Sequence, residues 1–500
     1  MQRSVLASLS AVVLLLCLGA GTASAQQAIG QKNDSSQEAT SEAESTQTHP
    51  TNTNISVRIF SPGDQGDVEQ SNESEASSAA GNVNATGQTA LQGGAGGSGG
   101  TQAIGQKNSN DQDAKSEAES TQTHPTNTNV PVRIFSGGRD GDVEQSNESE
   151  AKSKAGNLNL TGQGAAQGQG GRRMVAPVRE DGCGCGGAPS VQAIGQKNAN
   201  DQDADSEAES KQDHPKNTNV PVRVFSGGGG GDVEQSNESE AKSAAGNANL
   251  TKQAAGQFAG GVLGEILGRG PNGGVGNTQA TGQGNGNEQG AGSEGESKQE
   301  KPSNASAPAG ASRGGGNTEQ ENDSEAGSAA GNANLTGQGV LQAQLGGGAS
   351  YPGVQAVGQK NSNDQDAKSE AESEQVHPTN VNGGVDIGCG CDRMALKRSG
   401  GGGDVDQSNE SEAKSLAGNL NATHQLALQL GGGTQAIGQK NANDQDADSE
   451  AESEQVGAKN ANVPVWVFGG ASGDPEQSNE SAAKSLGLNL NATKQLAAQF

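Results

Sequence analysis

Aromatic side chains are nearly missing from this chain of 500 residues, with one Trp, one Tyr and six Phe making up 2% of it. The whole AVILMFWYC class reaches only 29%. A conventional hydrophobic core, which branched aliphatic and aromatic residues dominate, is therefore excluded, although the length would ordinarily house several domains. Positive charge is scarce too: 32 Lys and Arg stand against 59 Asp and Glu, a net charge of −27. No basic patch interleaved with aromatics occurs, which argues against nucleic acid as a partner. Past the N-terminal segment, no apolar run approaches the ~18 residues of a membrane span. Low hydrophobicity with high net charge ordinarily reads as disorder, so a disordered, hydrated stalk is the expectation that a folded reading has to displace.

The N-terminal segment has Arg3, the apolar run LASLSAVVLLLCLGAG, and Ala23, Ser24 and Ala25 before Gln26. This order of basic, apolar and small residues predicts a secretory signal over 1–25 and a mature chain that is secreted, extracellular or held at the cell surface. Cys17 lies in the apolar run, and Leu16 before it is not the small residue that a lipoprotein signal requires.

What the chain has in abundance is alternation. From Gln145 to Gln163 every second residue is small or amide-bearing, and the residues between them are mostly charged up to Lys154. Period two is the signature of a two-faced β-strand, not of a helix. The uncharged face carries Gln145, Asn147, Asn157, Asn159 and Gln163 among Ser, Ala and Thr. An earlier stretch alternates in the same way, with Gln106, Asn108, Asn110 and Gln112 on one face and Lys107, Asp111 and Asp113 on the other.

These blocks recur. QAIGQKN begins at Gln27, Gln102, Gln192 and Gln435, with QAVGQKN at Gln355 and a degraded QATGQGN at Gln279, at intervals of 75 to 90 residues. A secretory segment at 1–25 is thus followed by repeats at 26–100, 101–190, 191–277, 278–353, 354–433 and 434–500. A second block, GDVEQSNESEA or a variant, follows in each. The blocks share N-x-x-x-A-x-S-x-A, as in Asn110 to Ala118 and Asn147 to Ala155, which makes the elementary unit a half-repeat present twelve times. A block of about 20 residues would span ~65 Å as one strand; two or three shorter strands with a corner near Gly156 and Asn157 are expected instead. Between the blocks, Val130, Val132 and Ile134 alternate in a third, more conventional strand, which Pro131 assigns to an edge or leaves with an unpaired amide position. The fourth repeat lacks that strand and is rich in Gly, so it is expected to be a degenerate repeat or a linker joining two halves. Leu158 and Leu160 fall on the charged parity, so they form an outward stripe, or a corner at Gly156 turns them inward.

A buried, unpaired amide costs roughly 1–3 kcal/mol. Identical amides stacked at the strand spacing of ~4.8 Å remove that cost by donating to one another. The expected fold is all-β: a repetitive β-solenoid or stacked β-sheet array with polar Asn, Gln, Ser and Ala interior ladders and partly disordered Gly-rich linkers. The stretches Gln-x-x-Gly-Gln-x-Asn (Gln102 to Asn108) and Gln-x-Asn-x-Ser-x-Ala (Gln145 to Ala151) resemble curlin-type repeats, the secreted bacterial fibre subunits. The resemblance implies stacked strands and self-association. The chain departs from that family in its acidity, its long inserts and its lack of interior aromatics.

Few residues carry the promise of other chemistry. Cys183 and Cys185, like Cys389 and Cys391, form C-x-C pairs that an exported chain would use as disulfides, with a metal site or free thiols as alternatives. Asp201, Asp203, Asp205, Glu207 and Glu209 alternate along one face, where they are a solvated acidic surface or weak Ca²⁺ ligands. GGRDGDV is read as a plain turn. His49, His124, His214 and His377 each precede Pro and are read as turn positions with no nucleophile beside them. No enzyme activity and no cofactor is expected, Ca²⁺ aside. The expected function is a structural component of an extracellular fibre, surface layer, spore coat or biofilm matrix. A cation-dependent adhesin that meets other surface or matrix proteins or glycans is the alternative.

Overall fold

The computed structural model describes residues 27–96, 100–171, 190–226, 228–259, 278–310, 316–344, 353–387, 403–431, 433–467 and 474–500. The expected signal segment, most of the Gly-rich inserts and all of the cysteines lie outside these residues. The first repeat forms β1 (Gln27–Thr48), β2 (Thr51–Ile59) and β3 (Val68–Gly96), and the second forms β4 (Thr101–Thr123), β5 (Thr126–Ile134) and β6 (Val143–Gly171). In later repeats the middle strand is split in two. The third has β7 (Val191–Asp213), β8 (Lys216–Asn219), β9 (Val222–Val224) and β10 (Val233–Ala259). The fourth has β11 (Thr278–Glu300), β12 (Ser303–Ser306), β13 (Ala309–Gly310) and β14 (Thr318–Gln344). The fifth has β15 (Gly353–Val376), β16 (Thr379–Asn382), β17 (Val385–Ile387) and β18 (Val405–Leu430), and the sixth has β19 (Gly433–Val456), β20 (Lys459–Asn462), β21 (Val465–Val467) and β22 (Pro475–Gln499).

All first blocks lie side by side in one parallel sheet, β1-β4-β7-β11-β15-β19, and all second blocks in another, β3-β6-β10-β14-β18-β22. The short middle strands form a third. The two long sheets face each other with their strands running in opposite senses, so Gln31 reaches the carbonyl of Thr89 while Gln47 reaches that of Glu73. This is the all-β solenoid with polar interior ladders that the alternation predicts, and a disordered stalk does not describe these residues.

One turn of the solenoid is a whole repeat. The twelve half-repeats do not stack on one another: first blocks stack on first blocks, second on second, and the two kinds meet across the interior. The shared N-x-x-x-A-x-S-x-A pattern thus records two faces of one sandwich. Register is exact from repeat to repeat, with Gln106 on Gln196 and Asn147 on Asn237.

Three further expectations are corrected. The second block is a single strand of 29 residues in β6, without a corner at Gly156. Gly156 lies within it, stacked on Gly81 and Gly246, and a Cβ there would stand 3.3 Å from the Gly246 carbonyl oxygen. Leu158 and Leu160 therefore keep their parity and face outward at 37% and 38% exposure. The fourth repeat is no joint: β11 pairs with β7 and β15, and β14 with β10 and β18, in unbroken register. Finally, Val130, Val132 and Ile134 point away from the interior, which receives Asn127, Asn129 and Arg133. Pro131 sits inside the third sheet, between β2 and β8-β9, so the edge expected as one alternative is overturned and the position without a paired N–H is the one that remains; in the next repeat the strand breaks beside the corresponding Pro221.

Apolar burial is confined to small columns. Ala114, Ala204, Ala291 and Ala367 meet Ala155, Ala245, Ala330 and Ala417. Near the strand ends, Ile104, Ile194 and Val357 meet Ala165, Ala255 and Val340. Small side chains let the sheets approach closely enough for serines to bridge them, as Ser120 Oγ does to Ser149 Oγ at 2.9 Å.

Neighbouring residues on β6 should respond in opposite ways. Asn147 accepts from Asn72 and donates to Asn237, both at 2.9 Å, so Asn147→Ala breaks the ladder, takes one bond from each of two buried amides and leaves a gap between the sheets. The expected loss is about 2–4 kcal/mol of unfolding free energy. Glu148, next in sequence, is stacked on Glu73 and Glu238. Glu148→Ala is expected to leave the thermal unfolding temperature unchanged or raised, as differential scanning calorimetry of the two variants would measure.

Candidate functional site

The amide ladders are the feature that recurs in every repeat. Gln106 Nε2 donates to Gln31 Oε1 at 2.7 Å and receives Gln196 Nε2 at 2.8 Å on its own oxygen. Gln112, Gln145 and Gln163 sit in ladders of the same sense, donating to Gln37, Gln70 and Gln88 of the preceding repeat. Asparagine ladders run the other way. Asn108, Asn110, Asn147, Asn157 and Asn159 each donate to the next repeat, to Asn198, Asn200, Asn237, Asn247 and Asn249, at 2.8–3.0 Å. All nine of these side chains are at most 3% exposed.

A second bond fixes each glutamine's sense. The same Nε2 that serves the ladder also donates across the interior to a main-chain carbonyl, from Gln106 to Gly164 at 3.1 Å and from Gln163 to Lys197 at 3.2 Å. Turning the amide over would set oxygen against oxygen at that carbonyl. One break in a ladder explains an orphan: Ser35 stands opposite Asn110, so the buried Asn110 Oδ1 has no donor.

The outer face carries the acids. Asp201, Asp203, Asp205 and Glu207 are exposed and Glu209 half-buried, in line along β7, with Asp111 and Asp113 of β4 beside Asp201 and Asp203. Crowding removes water from these carboxylates and sets like charges together. Asp203 is pushed up to about 6 by desolvation, then by Asp205, Asp113 and Asp201. Asp323, half-buried on β14, is pushed up to about 7 by desolvation, then by Glu410 and Glu238. On the outer face of the second-block sheet, apolar columns replace charge, with Val83, Leu158, Leu420 and Leu490 in register and partly exposed.

The turns hold ladders of their own that the sequence reading passed over. The GDV aspartates cap the next repeat: Asp67 Oδ1 accepts from the Asp142 main-chain N–H at 3.1 Å, and Asp142 Oδ1 from that of Asp232 at 2.9 Å. An Asp just before five of the six second blocks, with Asn317 in the fourth, was the available signal. The histidine corners are turns, as predicted, with left-handed φ of 55°, 52° and 54° at His49, His124 and His214. Their rings stack at 5.1 and 5.0 Å, and Phe60, Phe135 and Phe225 stack at 5.2 Å on a second left-handed corner. His124, Asp213 and His214 are the group of metal-ligand type that comes together among the described residues, with the His214 ring nitrogen against Asp213. Behind the phenylalanines, Asp140 joins the buried Arg133, at 2.9 Å, to Arg223. Arg133 occupies the inward parity of VPVRIF, a position the apolar pattern alone hides.

Cys183, Cys185, Cys389 and Cys391 lie outside the described residues. Among the described residues no helix is long and apolar enough to cross a membrane. Comparison with protein-family models, curated proteins and solved structures gives no match.

The raised carboxyls set a pH dependence opposite to that of proteins held by acid–base pairs. A carboxyl whose folded value exceeds its unfolded one binds its proton more tightly when folded. Stability is therefore greatest below the unfolded value and falls as pH rises through the folded one. For Asp323 that window runs from 3.8 to about 7. The thermal unfolding temperature is expected to be several degrees higher at pH 5 than at pH 8; a higher value at pH 8 would contradict the assignment.

Proposed function

We propose that the protein is a secreted structural repeat protein that forms or decorates an extracellular fibre, surface layer, spore coat or biofilm matrix by β-stacking. The observation that carries this reading is the set of in-register amide ladders that run through all six repeats and stop, among the described residues, at open strand edges on β1 and β19. An interior that is satisfied by repetition is extended at little cost by further repetition. The resemblance to curlin-type repeats rests on the same alternation. Concentrated protein should give filaments in electron micrographs and a ~4.8 Å meridional reflection on alignment. A chain that stays monomeric by sedimentation at every concentration overturns the reading.

The stacked carboxylates support a second reading, a cation-dependent adhesin whose acidic face meets a divalent ion and, through it, a glycan or another surface protein. Desolvated acids such as Asp203, between Asp113 and Asp205, gain from a counter-ion. Calcium at millimolar concentration is then expected to raise the unfolding temperature and promote association. Unchanged stability and mass across the titration would count against this reading.

A further inference from the structure

The two ends of the solenoid differ, and they match each other. Among the described residues, β1, β2 and β3 of the first repeat each pair on one side only, and so do β19, β20, β21 and β22 of the sixth. Because every glutamine ladder donates toward the first repeat, Gln31 and Gln37 have, among the described residues, a ladder N–H with no side-chain amide to receive it, and Gln439 and Gln445 have an open oxygen. The asparagine ladders are reversed: Asn33 offers an open oxygen, and Asn441 an N–H. The GDV caps agree, since Asp474 Oδ1 is the open acceptor of a series whose open donor is the Asp67 main-chain N–H.

The residue order agrees as well. QAIGQKN opens both β1 and β19, and EQSNES opens both open second blocks, from Glu69 and from Glu476. The ladder positions differ at Ser35 against Asn443 and at Ala80 against Gly487. Charge separates the two possible pairings further. The outer face of β19 carries Asp444, Asp446, Asp448, Glu450, Glu452 and Glu454, whereas β1 has Ser36, Thr40 and Thr46 opposite three of those positions. Like ends can meet only about a two-fold axis, which reverses one set of strands and loses the parallel register that every ladder needs, and two sixth-repeat edges would also bring their acids together.

From these features, and resting on the structural reading above, we propose that copies of this chain join head to tail, the sixth-repeat edge of one docking on the first-repeat edge of the next. Gln37 of one copy donates to Gln445 Oε1 of its neighbour, and the neighbour's Asn441 donates back to Asn33 Oδ1. The parallel sheets continue through the joint, and the filament is polar.

The test blocks one end at a time in the chain beginning at Gln26. Gln31→Glu, Gln37→Glu and Gln70→Glu together keep the oxygens that receive Gln106, Gln112 and Gln145; they remove the open donors of the first repeat and, with them, the bonds to the Thr89, Val83 and Thr128 carbonyls. Asn441→Asp, Asn479→Asp and Asn489→Asp keep the oxygens that receive Asn361, Asn409 and Asn419 and remove the open donors of the sixth. Each triple variant alone should sediment as a monomer, and an equimolar mixture should give a species of twice the monomer mass that grows no further. Homodimers of either variant alone would overturn the proposal, because a like-end joint uses the edge left intact. A mixture that stays monomeric while the unaltered chain assembles would overturn it too. If the unaltered chain itself stays monomeric, the structural reading fails with it. Circular dichroism confirms that each variant keeps its β-spectrum; where a triple variant loses it, the single changes Gln37→Glu and Asn441→Asp are mixed in the same way.

Discussion

A side-chain amide inside a protein must find partners for two donors and an oxygen, and stacking at the strand spacing is the arrangement in which an identical residue always supplies them. The rest of this structure follows from that constraint. Parallel strands in exact register are needed because only they put Gln106 over Gln31 and under Gln196. Small side chains are needed opposite the amides, because Gln106 must also reach the main chain of Gly164 across the interior. Aromatic rings would hold the sheets too far apart for that second bond, so a chain built this way has few of them. Its phenylalanines at 60, 135 and 225 stack at a corner instead.

The same geometry creates the cost that the outer face bears. Register that stacks Gln on Gln also stacks Glu148 on Glu73 and Glu238. The chain relieves this in part by placing lysines among the acids, as Lys414 does between Glu412 and Glu325, and in part by raised carboxyls. Exposed ion pairs of this kind contribute little each. Acidity on that face is therefore not a stabilising device; stacked like charges oppose lateral contact between such sheets.

Much of this was legible in the sequence, and the part that was not has a physical cause. Period two identifies which residues face inward, and it did so correctly for Asn108, Asn147 and the acids from Asp201 to Glu207, because parity depends on local backbone geometry alone. It does not identify partners. Whether Asn110 stacks on Asn147 or on Asn200 depends on how far the chain travels before it turns, and both choices satisfy the shared half-repeat pattern. Strand length was hidden for a related reason: propensity assigns Gly156 to a turn, while the stacked carbonyls of neighbouring rungs hold it extended. The middle strand is less conventional than its alternating Val130, Val132 and Ile134 suggest, because in this interior Asn127 and Arg133 have the partners and Val130 has none to gain.

The order of residues along each block also explains how the inserts can vary so widely. Successive Asn108 partners lie 75, 90, 87, 76 and 80 residues apart along the chain, yet the ladder is unbroken. A slip of one residue would bury acids in place of amides. A slip of two keeps parity but sets Gln106 against an Ile or against an Asn, whose side chain is one methylene shorter, and Ala114 against a Gln or a Ser. Register is thus fixed by the blocks themselves and asks nothing of the connections. That freedom is what permits cysteine-bearing inserts and glycine runs between rungs, and it leaves the two terminal rungs as the places where the code is complete but only half read.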